Sequence, residues 1–153
     1  MVIFTERQKF RSWWMSFPYV GVFIITVYMA VECWYQRLDW IHLLVPALSV
    51  LVVIGMASVT LRTRIDEERI RIGFSPFGQR TILRSHLAKA YVRQYSPLAD
   101  FGGWGYRLGR SGTAYTTMGE HGLQLELKNG KRILIGTQRP AELQSVMDGW
   151  LPA

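Results

Sequence analysis

The sequence predicts an α+β membrane protein: a transmembrane hairpin of two helices, about residues 15–36 and 41–61, followed over 62–153 by about seven short antiparallel strands and a closing helix. Three observations carry that expectation. Two long apolar runs occupy the first 61 residues. After Leu61 the hydrophobic period falls to two, and in the last segment it returns to helical spacing.

The N-terminal 61 residues come first. The 153-residue chain is 49% hydrophobic yet carries a net charge of +7, because the two properties are segregated. Residues 13–60 hold only Glu32, Arg37 and Asp39 as charged side chains, whereas 61–153 hold 14 Lys/Arg against 8 Asp/Glu. The runs Phe17–Tyr35 and Ile41–Leu61 each approach the ~20 residues that carry a helix across ~30 Å of hydrocarbon. Trp13, Trp14 and Phe17 flank one end of the first run, and Trp34, Tyr35 and Trp40 the other, as in the aromatic belts of spanning helices. A cleaved signal peptide fits poorly, since the run is long and no small-x-small site follows it. The short connection "QRLDW" can only join antiparallel neighbours. Arg7, Lys9 and Arg11 precede the pair and Arg62, Arg64, Arg69 and Arg71 follow it, against Arg37 alone in the loop. The positive-inside bias then places both termini in the cytoplasm. Pro46 predicts a local kink. Glu32, close to the outer end, reads as an interfacial carboxylate ahead of an intramembrane ion site. The single cysteine, Cys33, excludes an internal disulfide and reads as a packing residue. His42, His86 and His121 lack metal-ligand spacing, so neither metal nor cofactor is expected.

The remainder alternates. "LRTRIDEERIRIGF", "RTILR", "AKAYVRQY", "GYRLG", "TAYTTM", "GLQLELK" and "KRILIG" are strand-like runs divided by Gly, Pro and Asn turn signals. Asn129-Gly130 supplies the positive φ values of a tight type I′ hairpin. Leu123, Leu125 and Leu127 share one face with Ile133 and Ile135. In "TQRPAELQSVMDGWL", Pro140 marks a first turn, and Leu143, Val146, Met147 and Trp150 recur at helical spacing. Leu143, Val146 and Trp150 are expected in the core. The run "FGGWGYRLG" suggests a phosphate cradle, but that requires a helix N-terminus after it. Strands follow instead, so its glycines are expected to bend the chain.

Residues 62–110 hold ten Lys/Arg against four Asp/Glu. The candidate anionic or partner-binding surface is Arg80, Arg84, Lys89, Arg93, Trp104, Arg107 and Arg110, cations beside aromatics that suit an acidic headgroup. No Ser/His/acid arrangement has catalytic spacing, so the chain is expected to be non-enzymatic. No nucleic-acid motif is present.

"FGGWGYR" and "TAYTTMGEHGLQLELKNGKRILIGTQRPAEL" resemble the bacterial pleckstrin-homology-like domains of small membrane proteins with two helices and one such domain. The resemblance implies a partly open seven-stranded barrel plugged by the C-terminal helix, in a multi-pass protein of the bacterial inner membrane. The expected function is a membrane-anchored interaction module that binds a protein partner or larger membrane complex at the cytoplasmic face. The alternatives are a sensor of anionic lipid headgroups and an accessory subunit of a transporter or respiratory complex.

Overall fold

The Arg/Ile alternation after Leu61 builds a hairpin. Strands β2 (Thr60–Asp66) and β3 (Arg69–Ser75) pair antiparallel with Ile65 opposite Ile70. Asp66, Glu67 and Glu68 lie at or beside the tip. The computed structural model describes residues 1–10, 16–36, 44–109 and 111–150. Trp13, Trp14, the connection around Arg37 and Trp40, and Arg110 lie outside the described residues.

The first sheet has the order β1-β2-β3-β4, where β1 is Val2–Lys9 and β4 is Arg80–Leu83. A 3-10 turn, Arg84–His86, leads into β5 (Leu87–Gln94) and the second sheet. A short helix, α3 (Pro97–Phe101), precedes β6 (Gly105–Gly109), β7 (Gly112–Thr116), β8 (His121–Leu127) and β9 (Arg132–Gly136). The order in the second sheet is β5-β8-β9-β7-β6. The hairpin from β8 to β9 differs from the expected type I′ turn: the Gly130 N–H donates to the Leu127 carbonyl at 2.9 Å, so Lys128 and Asn129 are the central residues and Gly130 follows them with a φ of 80°. Strand β9 then runs parallel to β7, with Ile133 beside Thr113.

Between β1 and β2 the chain leaves at Lys9 and returns at its register partner Thr60. The intervening residues form a separate unit, Phe10–Val59, with helices α1 (Ser16–Gln36) and α2 (Leu44–Ser58) in mutual contact. Residues Met1–Lys9 and Thr60–Ala153 form the other unit.

These facts correct the expected architecture. The seven-stranded barrel is replaced by sheets of four and five strands with no closed barrel. The first sheet gains the N-terminal strand, and the parallel β7–β9 pair breaks the all-antiparallel pattern. The transmembrane hairpin is also corrected: among the described residues, no helix is long and apolar enough to cross a membrane. Helix α1 (21 residues) runs without a break through Glu32 and closes on Trp34, Tyr35 and Gln36. The multi-pass inner-membrane location, and the cytoplasmic assignment of both termini that depended on it, fall with the hairpin.

The core of the strand unit draws on both sheets. Phe4, Leu61, Ile65, Ile70, Ile72 and Ile82 from the first meet Leu123, Leu125, Ile133 and Ile135 from the second. Helix α4 (Pro140–Trp150) closes it with Leu143, Met147 and Trp150 buried, while Val146 is only partly covered. The second sheet is covered on both faces. Tyr95, Phe101, Ala114 and Leu134 form a smaller cluster, in which Tyr95 meets Phe101 edge-to-face at 6.2 Å.

Burial pushes the Tyr95 phenol up to about 12, while the Thr116 hydroxyl beside it pulls the other way. The folded state therefore favours the neutral phenol. Its contribution is complete below pH 10 and is lost as pH climbs from 10 through 12. Denaturant unfolding at pH 9 and pH 12 should show Tyr95→Phe losing about 2 kcal/mol less than the parent chain. Equal losses would show that Tyr95 does not drive the alkaline destabilisation.

Candidate functional site

Two surfaces stand apart from ordinary packing, one in each unit. The first is the helical pair. Tyr19, Val22, Thr26, Met29 and Cys33 recur at intervals of three and four and are half-buried, the spacing of a helix–helix seam. Ser49 and Val53 are half-buried on α2. No described side chain of either helix is fully buried. The other faces are apolar as well: Val20, Phe23, Ile24, Val27, Tyr28 and Val31 on α1, and Leu48, Leu51, Val52 and Ile54 on α2, are exposed, with Phe23 at 68% and Leu51 at 64%. A helix that is apolar all round is ordinarily covered, by the core of a larger protein or by a membrane. Glu32 is the single charged residue within the two helices.

The second surface is a cleft of about 560 Å³ in the strand unit. Two turns and one strand start build it. Gly109, Ser111 and Gly112 come from the β6–β7 turn, Gly130 and Lys131 from the β8–β9 turn, and Arg80 opens β4. Gly112 is what lets the turns approach. A Cβ there would sit 2.2 Å from the Arg132 carbonyl oxygen, and its φ of 111° disfavours any side chain. The Asn129 carboxamide accepts from the Lys131 N–H at 3.1 Å and fixes the second turn.

Of the described basic and aromatic residues expected to form one surface, only Arg80 lines this cleft. Arg84 lies over the Trp150 ring, 5.5 Å from its centroid. Lys89 is exposed on β5, in register with Glu126. Arg93 donates to the Gln124 carboxamide at 3.0 Å and reaches the Asp100 carboxylate at 3.6 Å. Trp104 is half-buried and donates to the Gly119 carbonyl at 3.3 Å, and Arg107 donates to the Trp104 carbonyl at 3.1 Å. Arg84 and Arg93 thus serve the fold, and Trp104 and Arg107 brace each other. Arg110 lies outside the described residues.

Lys131 and Arg132 were missed. Their signal was present in "KNGKR", where cations crowd a tight turn.

The glycine run ends α3. Ser96 caps the start of this helix, and Gly102, in the left-handed region with φ 68°, ends it by donating to the Leu98 carbonyl at 2.9 Å. Gly103 donates to Pro97 at 2.8 Å. Both amides are occupied within the chain, so the run offers no cradle at that point.

Among the described residues, no group of three His, Cys, Asp or Glu could hold a metal ion. No protein-family model, curated protein or solved structure matches the chain, so the resemblance to pleckstrin-homology-like membrane proteins does not define its family, fold or location.

Proposed function

We propose that the chain is a non-enzymatic interaction module whose helical pair docks on the apolar face of a partner protein. The observation that carries this reading is the helical unit's lack of any fully buried described side chain, with large apolar residues exposed on both helices. Two helices with only a half-buried seam gain little from their own packing. Covering each large apolar side chain contributes roughly 1.5–3 kcal/mol, and contiguous exposed patches of this kind mark interaction surfaces. With one charge in the pair, the complementary face is apolar.

A photo-crosslinking residue placed at Phe23 or Leu51 in the full chain, in its native cells, tests the reading. Discrete crosslinks to a polypeptide are expected from both positions and not from Gln138, which is exposed on the strand unit. Phe23→Asp should abolish the crosslink from Leu51. Absence of crosslinks, or crosslinks to lipid alone, would overturn the docking.

A further inference from the structure

We infer that the cleft between the β6–β7 and β8–β9 turns is a binding site for the phosphoryl group of a small anionic ligand. Arg80, Lys131 and Arg132 line one concavity, and among the described residues no acidic side chain lines it. None of the three forms an ion pair among the described residues. The carboxylate in register with Arg132, Glu126, accepts the Tyr91 hydroxyl at 3.2 Å instead. Three like charges gathered on one concavity repel one another. A multiply charged anion relieves that repulsion.

The geometry suits phosphate chemistry. The cations arrive from separate elements: Arg80 from the first sheet, Lys131 and Arg132 from the hairpin of the second. They can therefore surround a tetrahedral group. Two guanidinium groups offer bidentate donors, and the ammonium adds a point charge. Ser111 and Thr113 add hydroxyl donors to the same lining. At about 560 Å³ the cleft falls within the ~300–1,000 Å³ of small-molecule sites, so it has room for an organic group beyond the phosphoryl oxygens. Leu108 and Ile133 supply apolar wall for that group. This site is independent of the docking helices and stands or falls without them.

The test uses the full chain at fixed ionic strength set by chloride. Inorganic phosphate, a soluble sugar phosphomonoester, and vesicles with 20 mol% phosphatidic acid in a neutral lipid are titrated separately. Saturable binding of the phosphomonoester or of the vesicles is expected. Arg80→Gln with Lys131→Gln should weaken it at least tenfold, Lys131→Arg should retain it, and Lys89→Gln, elsewhere on the basic surface, should leave it unchanged. The soluble ester binding without the vesicles identifies a free metabolite, and vesicle binding alone identifies a lipid headgroup. No saturable binding in any arm would overturn the site. So would binding that Lys89→Gln weakens as much as the cleft substitutions do.

Discussion

Replacing Trp150 by alanine is expected to destabilise the strand unit by about 3–5 kcal/mol, the usual consequence of deleting a core aromatic. Trp150 is 3% exposed and is part of the cluster shared by both sheets. Its indole also donates to the Asp66 carbonyl at 2.9 Å, which ties the last turn of α4 to the tip of the β2–β3 hairpin. The substitution thus removes apolar area and a hydrogen bond together, and it strips the support beneath Arg84. Amide hydrogen exchange of β8 and β9 in urea, on the full chain, reads the effect without assuming that both units unfold together. An unchanged exchange midpoint would show that α4 does not close the core.

Removing the Glu6 carboxylate is the second large effect, about 3 kcal/mol for Glu6→Ala. Glu6 is buried on β1, where it accepts from the Thr137 hydroxyl at 2.8 Å and from the Gln138 N–H at 2.9 Å. Bonds to a charged acceptor are worth about 1.5–3 kcal/mol, and orphaning buried donors adds desolvation cost. Gln8, 2% exposed, continues the network by donating to the Gly136 carbonyl and accepting from Thr117, each at 2.7 Å. Glu6→Gln keeps one acceptor and should lose roughly half as much. The urea midpoint of the β1 amides measures both variants. Equal stability of Glu6→Ala and the parent chain would show that β1 is held by its ladder with β2 alone.

This network also explains why β1 escaped the sequence reading. Its inward residues are Phe4, Glu6 and Gln8. Only one of the three is apolar, so period-two hydrophobicity is absent, and the partners that satisfy the other two lie more than 100 residues away. The second sheet shows the same limit in another form. Gln124 is buried although it alternates with leucines, because α3 and the Tyr95 cluster cover the far face. Nothing local to "GLQLELK" records that cover.

The sequence by itself determined the local elements. Strong Arg/Ile alternation specified β2 and β3, Asn129-Gly130 specified the β8–β9 hairpin, and helical spacing specified α4 with Leu143 and Trp150 inward. Each is written in a few neighbouring residues, through pleat period, turn φ and the 3.6-residue repeat. The tertiary structure alone decided that β1 joins β2 across the helical insertion, that β9 runs parallel to β7, and that Arg80 lines one cleft with Lys131 and Arg132 while Arg84 and Arg93 turn to other partners. Those outcomes depend on contacts between residues far apart in the chain, and the energy of such contacts has no signature in local composition. The apolar runs show the same division. Their helicity was legible, but the exposure of their side chains was set only by the folded structure.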